Sequence, residues 1–164
     1  MPAQPVPVRK LSLPTLAATR KWGRALGRAI SEGPVFIALD GELGAGKTTL
    51  VRAIGEGLKL PEPAQVTSPT FAIQHVYEGG RLPVYHFDFY RLGALDELPD
   101  IGWDDLLGEN AVVIAEWAEK FPEVLPPDRI EILLSHASRG RKAKAALVGA
   151  AAISPAFCRW LGRS

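Results

Sequence analysis

The chain is poor in the residues that build cross-linked or metal-clustered scaffolds. Its one cysteine, Cys158, has no partner for an internal disulfide among 164 residues and cannot by itself form a cysteine metal cluster. That usage fits a reducing compartment. An excess of charge is missing too: 19 lysines and arginines stand against 18 aspartates and glutamates. No global field therefore draws the chain to DNA, RNA or an anionic membrane, and any contact with RNA would run through a local patch or through partners. No apolar stretch reaches the roughly 18 residues of a membrane helix. The start, MPAQPVPVRK, lacks the apolar centre of a signal peptide. Asparagine occurs once, as Asn110 followed by Ala-Val-Val, so the N-K-x-D pattern with which GTPases read guanine is absent. These absences point to a soluble, cytoplasmic protein with no membrane segment, and to one domain over 1–164 whose 47% hydrophobic residues fill a single core.

Periodicity supplies the elements. Residues 1–13, with three early prolines, read as a flexible lead-in or an edge strand. Thr15 to Ile30 reads as a helix, with Leu16, Thr19, Trp22, Leu26 and Ile30 on one face and Pro14-Thr15 at its start. Val35–Leu39 is a continuous apolar run, the pattern of a strand buried on both faces of a parallel sheet, and Asp40-Gly41 is expected to break it. Lys47 to Leu58 has helical spacing. Phe71–Tyr77 and Leu82–Asp88 read as strands joined by a turn at Gly79-Gly80. Tyr90–Leu107 reads as broken helix, Ala111–Ala115 as a second buried strand, and Arg129–Leu134 and Lys144–Ala152 as further strands. The tail, 154–164, reads as a short helix or a flexible end.

Between the first buried strand and the following helix lies Gly41-Glu42-Leu43-Gly44-Ala45-Gly46-Lys47-Thr48, which fits G-x-x-x-x-G-K-[ST]. Glycines let the backbone curl so that successive amides face phosphate oxygens, and the helix start adds its positive end. The lysine reaches the β- and γ-phosphates and the hydroxyl of Thr48, followed by Thr49, serves magnesium. With 16 glycines in the chain and its own lysine, serine and threonine frequencies, the pattern arises by chance in roughly one such sequence in 200. The expected fold is α/β, a P-loop NTPase-like three-layer sandwich with a mostly parallel central sheet and a hairpin region. The expected cofactors are ATP or ADP and Mg²⁺.

A phosphate-binding loop needs a further acidic group to hold magnesium or orient water. Glu116 follows the apolar run Val112–Ala115, and Asp88 ends Leu82–Phe87. Both sit where ligands of open α/β sheets bind, beyond strand carboxyl ends. The plainer alternatives are a surface carboxylate for Glu116 and a helix N-cap before Tyr90 for Asp88. His86 shares a strand face with Asp88 and reads as structural, since no third metal ligand lies nearby. Trp117 is either core or a wall of the nucleotide site. Thr67-Ser68-Pro69-Thr70 follows the loop helix, where P-loop hydrolases keep a γ-phosphate-sensing switch, but it also reads as a plain turn. Arg139 and Arg141 form a basic turn able to meet nucleotide, RNA or only water, and are the candidates for a kinase-type lid.

The combination GELGAGKTTLVR (41–52), VTSPTF (66–71), YHFDFYRL (85–92), the Asp96-Glu97-Leu98 to Gly102 stretch and IAEW (114–117) resembles the TsaE family, also called YjeE, from about Leu13 to Gly149. The resemblance implies a bacterial ATPase needed for threonylcarbamoyladenosine at adenosine 37 of tRNA. It also implies docking on a TsaB–TsaD complex, so that tRNA is met indirectly. By position, Thr48, Glu116 and Asp88 would serve magnesium and nucleotide, and Lys47 the phosphates. Ser68 and Thr70 would lie in a switch loop and Thr19 near the nucleoside; Trp117 and Arg141 stay, on their own residues, candidates for nucleotide contact. Glu42 departs from the aspartate of many members, and the two ends of the chain have no clear counterpart. A small-molecule P-loop kinase is the competing expectation.

Overall fold

The computed structural model describes residues 6–67, 69 and 73–162. Its sheet has seven strands in the order β1-β7-β6-β2-β5-β4-β3. They are β1 (Val8–Leu13), β2 (Val35–Gly41), β3 (Gln74–Tyr77), β4 (Val84–Asp88), β5 (Val112–Glu116), β6 (Arg129–His136) and β7 (Arg141–Val148). The centre, β6-β2-β5-β4, is parallel, while β1, β7 and β3 pair antiparallel at the two sides. The helices are α1 (Leu16–Ala29), α2 (Lys47–Gly57), α3 (Glu97–Asp100), α4 (Trp103–Leu106) and α5 (Pro155–Gly162).

The apolar runs become the buried strands for the anticipated reason: every residue of β5 and six of the seven in β2 are buried. On one face, Ile37 and Leu39 of β2 pack with Leu26 of α1, Ile54 of α2 and Trp160 of α5. On the other, Phe36 and Ala38 meet Leu98 of α3, Trp103 of α4 and Phe87 of β4. Helix α1 starts where Thr15 Oγ1 accepts a hydrogen bond from the Ala18 amide at 3.0 Å. It crosses α2 glycine against glycine: a Cβ on Gly27 would collide with the Ile54 carbonyl, and one on Gly57 with the Arg24 carbonyl. Trp22 stacks on Trp160 with ring centroids 4.9 Å apart, and the Trp160 indole donates to the Trp22 carbonyl at 3.2 Å. Of the tail, Pro155–Gly162 therefore forms a helix docked on α1, and of the start, Val8–Leu13 forms an edge strand, while residues 1–5 and 163–164 lie outside the described residues.

Three expectations change. Asp40 and Gly41 do not end the first buried strand; they pair with Leu133 and Leu134 of β6, so β2 runs into the loop. The last strand is 141–148 rather than 144–152, because Lys142 and Lys144 point to an open face while Ala143, Ala145 and Leu147 fill the core. The second helical layer is also narrow, since α3 and α4 span four residues each. They cover β2, β5 and β4 only. Over β6, β7 and β1 the same face is a shallow open depression lined by Lys10, Ser12, Leu133, Ser135, Lys142 and Lys144.

Candidate functional site

Strand β2 delivers Gly41 to a tight loop that ends at Gly46, the N-cap of α2. Gly44 and Gly46 have φ of 75° and 102°, left-handed values that disfavour any side chain. A Cβ on either would meet nothing within 4 Å, so the demand is for conformation and not for space. No side chain caps α2, and its first turn holds no acidic residue. The positive end of an 11-residue helix is thus open to an anion. Arg141, from the far side of the sheet, steadies the loop: its Nε donates to the Ala45 carbonyl at 3.0 Å and its Nη2 to the Gly44 carbonyl at 3.1 Å.

Lys47 is 7% exposed and folds back on its own loop, donating to the Gly41 carbonyl at 2.6 Å and the Glu42 carbonyl at 3.0 Å. Its ammonium lies 4.3 Å from the centroid of the Trp117 ring. Burial pulls its pKa below the ordinary lysine value, opposed by the charges of Glu116 and Asp88. Trp117 adopts φ of 58°, a left-handed conformation that costs a non-glycine residue about 1 kcal/mol or more. Its amide donates to the Leu39 carbonyl at 3.0 Å, and Tyr90 tilts against its ring with centroids 5.2 Å apart.

The two carboxylates come from neighbouring parallel strands in register, with Asp88 of β4 opposite Glu116 of β5 and Glu116 opposite Leu39 of β2. Asp88 is the N-cap of its plainer reading and also faces the cleft. Its Oδ1 accepts from the Tyr90 amide at 3.0 Å, capping the turn that follows, while the residue lines the same cleft as the loop. Burial raises its pKa above the usual carboxylate range, with Glu116 adding to the rise and the Tyr90 amide and Arg91 opposing it. Arg91 Nε lies 3.8 Å from Asp88 Oδ2. Glu116 is 2% exposed, and His86 Nε2 lies 3.3 Å from its Oε2. Asp40 Oδ1 accepts from the Glu119 amide at 2.9 Å, and burial raises its pKa as well.

One cleft of about 820 Å³ gathers Thr19, Leu43, Gly44, Gly46, Lys47, Thr48, Thr49, Asp88, Glu116, Trp117 and Arg141. Gly41, Glu42 and Ala45 contribute carbonyls to the lysine and arginine contacts just described. Ala45 itself is buried beneath the loop, whereas Leu43 stands 86% exposed at its tip. Ser68 and Thr70 lie outside the described residues. Tyr90 walls the cleft and Arg91 lines it too, though neither was a candidate site residue in the sequence. They lie two and three residues after Asp88, and this nearness was the available signal.

The arrangement fits a nucleoside phosphate: an open helix N-terminus, two glycines in the required conformation, a lysine able to exchange neutral carbonyls for anionic oxygens, and a tryptophan wall. It also fits magnesium in part. Among the described residues no group of three or more His, Cys, Asp or Glu side chains is placed to hold a metal. Thr48 with Asp88 and Glu116 is instead the sparse oxygen set typical of magnesium sites completed by phosphates and water. No described helix is long and apolar enough to cross a membrane.

Comparison with known proteins agrees with this geometry. Residues 13–144 match the family model for the threonylcarbamoyl adenosine biosynthesis protein TsaE. The chain is 38% identical over 136 residues to the tRNA threonylcarbamoyladenosine biosynthesis protein TsaE of Nostoc, covering 81% of this chain and 82% of that one. It is 39% identical over 124 residues to the protein of the same name from Treponema pallidum, covering 76% and 89%. The crystal structure of YdiB from Bacillus subtilis superposes with a TM-score of 0.74 at 30% identity, covering 98% of each chain. The loop, the paired carboxylates and the tryptophan wall all fall within the matched residues, and the chain belongs to the TsaE family.

Proposed function

We propose that this chain is a magnesium-dependent cytoplasmic ATPase that serves tRNA threonylcarbamoyladenosine synthesis by acting with a TsaB–TsaD complex, and so meets tRNA through that complex. One observation carries the reading: loop, lysine, threonine and two carboxylates from three adjacent parallel strands line a single cleft. The names of its relatives, which are tRNA threonylcarbamoyladenosine biosynthesis proteins, support the biological setting.

The loop amides and Lys47 bind the phosphates, and the lysine gains charge-assisted bonds in place of neutral ones. Thr48, Asp88 and Glu116 would hold magnesium, which would supply charge neutralisation at the transferring phosphoryl group. Glu116, buried beside the cleft, also orients the attacking water. Trp117 and Tyr90 exclude solvent from one side. The loop guanidinium of Arg141 is engaged with backbone carbonyls and does not ride on a separate lid, which favours hydrolysis over transfer to a small acceptor.

The cleft is incomplete in one respect. Lys47 is its buried cation, whereas the Arg91 side chain is 45% exposed and faces Asp88. An arginine aimed at the γ-phosphoryl is worth about 10³–10⁵ in rate. The isolated protein is therefore a slow ATPase, completed when TsaB and TsaD dock. The test is steady-state phosphate release with no partner, with each partner and with both, alongside co-purification of the three proteins. Slow basal release and a large stimulation by both together are expected. A fast isolated enzyme that the partners leave unchanged would refute the mechanism.

A further inference from the structure

His86 has no part in the chemistry above, yet it is 0% exposed and carries two ring nitrogens capable of hydrogen bonding. Neither nitrogen meets the geometry of a hydrogen bond to any described residue. An imidazole that only filled space here would be a poor choice, because an apolar ring would pack without polar atoms to satisfy. Its surroundings give the reason for it. Nε2 stands 3.3 Å from Glu116 Oε2, and the other close ring is Tyr77, tilted at a centroid distance of 6.4 Å. Sheet register puts the two within reach: His86 lies opposite Ile114, two residues before the Asp88–Glu116 pair and on the same face.

We propose that His86 is the positioning residue for Glu116: its Nε2–H holds one carboxylate oxygen from beneath and so fixes how the carboxylate faces the cleft. At 3.3 Å the contact is longer than an ideal N–H···O bond; contacts of catalytic groups often tighten only in the loaded complex. Residues that orient a metal- or water-holding group in this way typically carry 10–100-fold in affinity or activity. The inference rests on the role given to Glu116 above.

Two measurements test it. The first uses the nucleotide-free, metal-free protein in EDTA and needs no turnover. Long-range ¹H–¹⁵N spectra of the histidine rings should find His86 as the Nε2–H tautomer, and Glu116→Gln should shift its ring nitrogens. A His86 signal unmoved by that substitution overturns the proposal. The second compares His86→Phe, which keeps a ring and loses the donor, with His86→Gln, which restores a donor near Nε2. With both partners present, His86→Phe should lower kcat about 10–100-fold, with KM for ATP within about threefold, and should raise the magnesium concentration needed. His86→Gln should recover most of the loss. Wild-type kcat in a folded His86→Phe, or a His86→Gln as impaired as His86→Phe, overturns the proposal in favour of packing. If His86→Phe does not fold, His86→Gln and the spectra still decide. Should Glu116→Gln leave turnover intact while the spectra show the coupling, the role of Glu116 fails and the pair itself stands.

Discussion

Replacing Asp88 by asparagine should make the empty protein more stable. Asp88 and Glu116 face each other on adjacent parallel strands, which run about 4.8 Å apart. Two carboxylates at roughly 5–6 Å repel by about 3 kcal/mol at an effective dielectric of about 20. The charge also has favourable partners. The Arg91 contact at 3.8 Å involves a side chain 45% exposed, so it is worth at most about 1 kcal/mol. The attraction to Lys47 takes off about another 1 kcal/mol. Asparagine keeps an acceptor for the Tyr90 amide, so the turn stays capped. The net gain is roughly 1 kcal/mol, or about 2–4 °C in Tm for a chain of this size. The pH dependence has a definite sign. Burial raises the Asp88 pKa above 3.8 in the folded state, so folding favours its neutral form. The wild type therefore loses stability as pH rises from about 4 through the folded value. The gain from asparagine should be largest at pH 8 and shrink on acidification, as protonation removes the wild-type charge. Asp40, whose pKa is raised too, is common to both proteins and drops out of the difference. Calorimetric melting in EDTA without nucleotide, from pH 4.5 to 8, measures this. A Tm at pH 8 equal to or below wild type, or a gain that does not fade on acidification, would refute the electrostatic account.

Lys47→Ala removes the buried cation of the loop and should weaken ATP binding on the order of 100-fold, about 3 kcal/mol; titration calorimetry with unchanged affinity would end the assignment of the loop. Glu116→Gln keeps the shape of the side chain and loses its charge. It should bind nucleotide within a few-fold of wild type and turn over at least about 100-fold more slowly with partners present, and wild-type phosphate release would move that role to Asp88.

The site was legible where chemistry is local in sequence. A glycine loop between a buried strand and a helix declares itself, because the strand must be apolar on both faces and the loop must turn sharply. Glu116 and Asp88 were found because each ends an apolar run. The contact of His86 with Glu116 was hidden, since it depends on the β4–β5 register, which neither strand encodes alone. Arg141 was picked out as a residue of a basic turn, but its grip on Ala45 and Gly44 spans 96 and 97 residues of sequence. The end of β2 was misjudged because Asp-Gly signals a turn locally, and pairing with β6 overrides it. The last strand was set too late because its outward lysines look like loop until the open face is known.

That open face also bears on how copies of the chain treat one another. With a formal net charge of +1, the molecule has little long-range repulsion to keep it dispersed. A bare three-strand surface with Leu133 exposed on β6 would ordinarily invite another sheet to stack on it. Lys10 stands directly across from Lys144, with Lys142 two residues along the same strand. This cross-strand crowding costs the fold a little, but it sets like charge against like charge whenever two such surfaces meet. Colloidal stability then rests on three side chains and not on the charge of the whole. Salt, by shortening the Debye length to about 3 Å at 1 M, removes the protection where the exposed leucine is.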